Sequence, residues 1–166
     1  YVTEEDRKYI HENYCHDPKW DFRIGEGISA RLSELMEKDV NKIALSYSIM
    51  LTLLGTPVVY YGDEFGLMGD GDKEARQDLF VTLVDRWRKQ QRIGGEPIGM
   101  GKSSFDTTNP LQQTIRDLTK LHASSSAFSA GAMKIRIAEN DLLVFSRFDL
   151  DTGKEYLMAF NSSDAA

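Results

Sequence analysis

The stretch LLGTPVVYYGDEFGL, from Leu53 to Leu67, decides how the rest of the chain is read. It opens on Gly55 and Pro57, continues through Val58-Val59-Tyr60-Tyr61, and ends on two adjacent carboxylates, Asp63 and Glu64. Proline donates nothing to a ladder and so belongs at the first position of a strand. A strand that is apolar at consecutive positions is covered on both faces, as parallel strands flanked by helices are. Upstream, Val40, Ile43, Ala44, Tyr47, Met50, Leu51 and Leu54 recur at intervals of three and four. That spacing predicts a helix with one wide apolar stripe, Asp39 as its N-cap and Gly55 as its stop. Helix, short link and buried strand in this order describe an α/β arrangement. Asp63 and Glu64 then stand beyond the carboxyl end of the strand, where parallel sheets place their ligands.

Outward from this stretch, Thr3 to Tyr14 predicts a helix with Thr3 as cap and Asp6 three residues on. The remainder of residues 1–39 carries turn signals in CHDPKWDFRIGEGIS. Its content of Tyr9, Tyr14, Trp20 and Phe22 argues for an ordered lid or binding loop over disorder. Gly66 to Lys73 reads as a Gly/Asp-rich loop, while Leu79, Leu83, Val84 and Trp87 permit a helical stripe. The glycines of RIGGEPIGMGKSSFDTTN make it a loop, and Asn109-Pro110 then starts a helix. Asn is the cap, Pro takes the first helical position, Gln112 stands where a capping-box partner belongs, and Leu111, Ile115, Leu118 and Leu121 continue the element. After Gly131 the period changes to strands at Lys134–Ala138, Leu142–Phe148 and Glu155–Phe160, with DLDTGK turning between the last two.

Composition bounds the function. The chain has 166 residues, enough for one ordinary domain with a core. It is 41% hydrophobic and 28% charged, and no window reaches the roughly 20 apolar residues a membrane span requires, so no membrane partner is expected. Twenty basic against 26 acidic side chains give a net charge of -6, which argues against nucleic acid as a partner. Cys15 stands alone, so no intrachain disulfide framework exists. His11, His16 and His122 share no metal spacing, GDGDKEARQDLF lacks the spacing of an EF-hand, and neither metal nor cofactor is expected. The first residues show neither an initiator Met nor a signal-peptide pattern, and EYLMAFNSSDAA stops after a strand-like run. Both features lead to the expectation of a segment from a longer protein, with its compartment left open.

On the residues alone, an acidic pair after a buried strand serves as a catalytic carboxylate, as a metal ligand, or as a structural acid accepting backbone hydrogen bonds and a neighbouring Arg. The third role is the commonest. An adjacent pair does not supply both acid and nucleophile of a glycosidase, whose carboxyls face the sugar from different elements about 5–9 Å apart.

GTPVVYYGDEFGL resembles the strand-eight signature of the α-amylase superfamily, glycoside hydrolase family 13, with Gly55, Pro57 and Glu64 at its recurring positions. The segment VTEEDRKYI…Y…DP…GI…RL…D…KI is similar to the one after strand seven in the trehalose-synthase-like branch, and the tail to the β-sandwich that follows the barrel. The resemblance implies an α/β fold, with residues 1–128 as the C-terminal portion of a (β/α)8 TIM barrel, after strand seven through helix eight. Residues 129–166 would then be the truncated start of an all-β sandwich. It further implies an enzyme acting on α-linked glucosides or α-glucans by a retaining mechanism, either a hydrolase or a transglucosylase. The catalytic Asp, Glu and Asp of the family have no match in the chain, and its Asn-His-Asp element is expected just ahead of Tyr1. By itself the chain is therefore expected to be inert.

The resemblance makes Tyr61, Asp63 and Arg76 the substrate-cleft candidates, Arg76 falling where relatives carry a D-x-x-R-like element. Gly55, Pro57 and Glu64 support the site, with Glu64 bracing the barrel mouth and Asp63 its loop. A surface role for Arg76 and a core role for Tyr60, Tyr61, Trp20 and Trp87 are the plainer readings. The R-T-P-M-Q-W run of trehalose synthases is absent, and the superfamily allows a Ca²⁺ ion that nothing in these residues supports. A rival from another class is a non-catalytic amylase-like scaffold or ancillary subunit, distinguished by whether the three carboxylates exist upstream.

Overall fold

The computed structural model describes residues 2–77, 85–97 and 107–163. Helix α1 spans Glu4–Tyr14 and begins as its sequence predicts. The Thr3 hydroxyl accepts from the Asp6 amide at 3.1 Å, and the Asp6 carboxylate accepts from the Thr3 amide at 3.2 Å. This reciprocal box satisfies two donors that a helix N-terminus otherwise leaves open. The Thr3 hydroxyl and then its amide hold the Asp6 carboxyl below its ordinary value. A 3-10 turn, Pro18–Trp20, leads into β1 (Asp21–Phe22), which pairs antiparallel with β2 (Gly27–Ile28), and α2 follows at Leu32–Leu35. Residues 2–39 thus carry several regular elements, although α1 buries none of its side chains.

The chain divides into two compact units, each drawn from two separated stretches. The first comprises Tyr1–Asp39 with Tyr60–Leu111. Its buried apolar side chains include Phe65, Leu67, Met68 and Leu111, and among them lie buried polar ones: Arg31, Gln77, Arg92 and Asn109. A second 3-10 turn covers Asp63–Phe65, and α4 covers Asp85–Arg88. Leu79, Leu83 and Val84, expected on a helical stripe, lie outside the described residues. Helix α5, Pro110–Ala123, starts at the predicted Asn-Pro pair. The Asn109 carboxamide oxygen accepts from the Leu111 amide at 2.9 Å, while its nitrogen donates to the Ile93 carbonyl at 2.8 Å. Asn109 therefore caps the helix and fastens a loop, which accounts for its complete burial. Gln112 does not complete a capping box, since its side-chain oxygen is buried without a hydrogen-bond partner.

The second unit comprises Val40–Val59 with Gln112–Ala166. Helix α3, Val40–Thr52, buries Ile43, Tyr47 and Leu51, one turn apart on a single face, as the three-four spacing predicts. Each such side chain contributes about 1.5–3 kcal/mol when fully withdrawn from water. Leu54 lies past the helix end and is exposed, so the stripe closes at Leu51. After α6 (Ser126–Ser129) come β3 (Ala132–Glu139), β4 (Leu142–Phe148) and β5 (Glu155–Asn161), an antiparallel meander of order β3-β4-β5. The Asp149 carboxylate accepts from the Asp151 and Thr152 amides, both at 3.0 Å, making residues 149–154 the predicted hairpin turn.

The buried strand expected at Val58–Tyr61 is not formed. Thr56–Tyr60 lies in no helix or strand, and Val58, Val59, Tyr60 and Tyr61 are 72%, 37%, 43% and 38% exposed. A parallel strand takes its ladder and both its covers from neighbours a crossover away in sequence. Among the described residues every strand pair is antiparallel, and none includes this segment.

Candidate functional site

The acidic pair at Asp63-Glu64 is shaped by the glycines on either side. Gly62 and Gly66 take φ of 92° and 71°, left-handed conformations open to glycine at little steric cost. A Cβ on Gly62 would collide with the Leu67 side chain, and one on Gly66 with the Ile93 carbonyl. The chain thereby folds back tightly around Asp63–Phe65, and the Glu64 carboxylate accepts from the Gly62 amide at 2.8 Å.

Asp63 reaches much farther along the chain. Its carboxylate accepts from Arg31 Nη1 at 2.7 Å, with the two side chains 10% and 0% exposed. The same Nη1 donates to the Tyr61 carbonyl at 2.8 Å, Nη2 donates to the Ala75 carbonyl at 2.8 Å, and Nε donates to Gln77 Oε1 at 3.2 Å. These four bonds use most of the five donors of a guanidinium. The Tyr60 and Tyr61 rings lie 4.8 Å and 5.3 Å from the same group, within cation–π range.

Around this centre the segments interlock. The Arg31 amide donates to the Gly69 carbonyl at 2.9 Å, and the Ser33 hydroxyl to the Leu67 carbonyl at 2.6 Å. Gln77 donates to the Met68 carbonyl and, at 2.8 Å, to Gln90 Oε1. Glu34 accepts from the Gly69 amide at 3.2 Å, and burial pushes its carboxyl above the ordinary value. Residues 30–34 are thus the template on which residues 61–77 are laid.

Of the sequence-predicted residues, Tyr61, Asp63 and Glu64 come together here. Arg76 follows in the same loop, but its exposed side chain pairs with Asp72, whose hydrogen bond raises its pKa. Gly55, at φ 114° in open space, and half-buried Pro57 belong to the other compact unit. The bracing role expected of Glu64 and the loop role expected of Asp63 have different geometries: Asp63 makes the bond that spans 32 residues, and Glu64 bonds within its own turn. Sequence reasoning missed Arg31 as a site residue. Its signal was a lone cation within the small and apolar run GISARL, inside the very segment that carries the family likeness.

Two of the three histidines make ordinary bonds, His11 Nε2 with Asp21 at 3.2 Å and His122 Nδ1 with the Leu51 carbonyl at 2.9 Å, and His16 is exposed. Among the described residues no three His, Cys, Asp or Glu side chains converge as a metal would need, and no helix is long and apolar enough to cross a membrane. A cavity of about 700 Å³ between α1 and the β1–β2 hairpin is lined by Val2, Arg7, Ile10, His11 and Gly25–Ile28, apart from the acidic turn. Chemically, the Asp63 cluster positions backbone and holds a charge pair out of water.

No family model matches the chain. Curated relatives do. The chain is 44% identical over 156 residues to the trehalose synthase/amylase TreS of Mycolicibacterium smegmatis, covering 80% of this chain and 25% of that protein. It is 34% identical over 134 residues to an α-amylase of Streptomyces lividans, covering 79% and 14%. This chain belongs to the α-amylase family, near its trehalose-synthase-like branch. With the trehalose synthase of Thermus thermophilus it shares 52% identity over 89 residues, which is 51% of this chain and 9% of that one. The matched part of the chain thus spans from 9% to 25% of the length of these family members. Among solved structures, the maltogenic amylase of S. marinus superposes with a TM-score of 0.59 at 22% identity over 81% of this chain and 16% of that one, a likeness of fold. The hydrolase of Arthrobacter globiformis complexed with cyclic α-maltosyl-(1→6)-maltose gives 0.52 at 28% identity, covering 72% and 22%. These relatives are glycoside hydrolases and transglucosylases of the family.

Proposed function

We propose that this chain is the C-terminal part of a (β/α)8 barrel with the start of a β-sandwich, within an enzyme that hydrolyses or transfers α-linked glucosyl units with retention. The observation that carries the reading is the 44% identity to a trehalose synthase/amylase sustained over 80% of the chain. The exposed apolar row Val58–Tyr61 supports it, because that is the surface a parallel strand presents before its neighbours cover it. Residues 1–128 go with the barrel and 129–166 with the sandwich. Tyr61, Asp63 and Arg76 face the cleft or hold its wall, and Gly55, Pro57 and Glu64 support it. By the resemblance, the nucleophile and the acid/base lie outside these 166 residues, and Asp63, paired with Arg31, serves as neither.

Proton NMR on the whole protein, incubated with maltose and with trehalose, tests this directly. Turnover with the first-formed product in the α-anomeric form is expected, and none from the 166-residue chain alone. A folded whole protein that turns over no α-glucoside would favour the scaffold reading. Activity of the chain alone would show that the catalytic groups are here after all.

A further inference from the structure

We propose that Arg31 is a positioning residue for this reaction, fixing the loop that carries Tyr61, Asp63 and Arg76. The inference rests on the reading of the chain as part of an α-glucoside enzyme. Its physical basis is the geometry of the guanidinium, which is planar, rigid and always charged. Arg31 takes the loop at both ends: the Tyr61 carbonyl and the Asp63 carboxylate at one, the Ala75 carbonyl and the Gln77 side chain at the other. The Asp72–Arg76 pair, exposed and four residues apart, does not join the two ends of the loop. Arg31 is itself 2% exposed and donates four bonds to protein groups, so it is held away from a sugar. What it controls is where the loop between Tyr61 and Gln77 stands. A loop displaced by about 1 Å costs on the order of 100-fold in rate when it carries groups that orient substrate.

The test uses the whole protein with Arg31→Ala and Arg31→Lys, read by kinetics on maltose, by thermal unfolding and by amide hydrogen exchange. At a temperature where each variant is fully folded, Arg31→Ala is expected to lower kcat/KM about 100-fold. Exchange should quicken at the Gly66 and Leu67 amides, whose bonds to Asp63 and Gly62 close the turn, and should stay unchanged in β3–β5. Lysine keeps the charge opposite Asp63 and loses the planar grip on two carbonyls, so it should recover little. Millimolar guanidinium should recover part of the alanine variant's activity where equal sodium chloride does not. Unchanged kcat and KM in a folded Arg31→Ala protein, or unchanged exchange at Gly66 and Leu67, overturns the inference. A wild-type protein inert toward every α-glucoside overturns the functional reading instead, and the role assigned to Arg31 in the reaction goes with it.

Discussion

Arg31 in the first compact unit and Arg147 in the second are both buried, and by opposite means. Arg31 neutralises its charge against Asp63 at 2.7 Å. Arg147, on β4, is fully buried and has no carboxylate partner among the described residues. Its Nη1 donates to the Thr52 carbonyl at 2.8 Å, and its Nη2 to those of Phe128 at 3.0 Å and Gly131 at 3.4 Å. Thr52 ends α3 and Phe128 lies in α6, so these acceptors are carbonyls near helix ends, which carry partial negative charge and lack intrahelical donors. Burial pushes the Arg147 guanidinium below its ordinary pKa, and its Nε finds no acceptor. The contrast teaches that a buried cation does not require an acid: several oriented carbonyls serve when its task is to tie helix ends to a sheet. An acid appears where one loop must be held to another segment.

That contrast breaks most visibly at Asp63. Asp63→Ala leaves Arg31 charged and buried without its counter-ion and should destabilise the protein by about 3–5 kcal/mol in urea unfolding. A loss below about 1 kcal/mol would make the pair no stronger than a surface one. Arg147→Met keeps the volume and removes the donors, leaving carbonyls unsatisfied; a loss of about 2–3 kcal/mol is expected, because each orphaned group costs about 1–3 kcal/mol and the missing charge is no longer desolvated. Equal losses at both sites would erase the distinction drawn between them.

A smaller effect belongs to pH. The Thr152 amide first, with the Ser126 hydroxyl next, lowers the Asp149 carboxyl from 3.8 to about 2. A depressed carboxylate stabilises the fold above its unfolded value, and that contribution disappears as pH falls from about 4 towards 2. Asp149→Asn should therefore flatten the fall in stability over this window, measured by urea midpoints at successive pH values. Smallest of all is Arg76→Ala. Its pair with Asp72 is exposed, so the unfolding midpoint should match the wild type at high and low salt. A clear loss of kcat/KM with that midpoint unchanged would instead make Arg76 a cleft residue.

The parts legible in the sequence are those governed by neighbours a few residues apart. Thr3 with Asp6, Asn109 with Pro110, the α3 stripe and the Asp149 turn all take the form their residues predict. The acidic pair was legible as a feature and its wiring was not. Asp63 and Glu64 are adjacent carboxylates with the same chemistry, and nothing local says that one reaches Arg31 while the other bonds Gly62. The row Val58–Tyr61 takes no strand form because β-branched and aromatic residues record fitness for a covered sheet surface, and among the described residues no strand pairs with them.

The sequence by itself determined the starts of α1 and α5, the apolar face of α3, the hairpin at 149–154 and, through its likeness to known proteins, the α-amylase family. Only the tertiary structure decided that Arg31 meets Asp63 across 32 residues and that Arg147 closes on Thr52 across 95. Caps and stripes follow from the fixed geometry of one turn of chain, whereas a buried charge selects its partner from whatever the whole fold brings within about 3 Å.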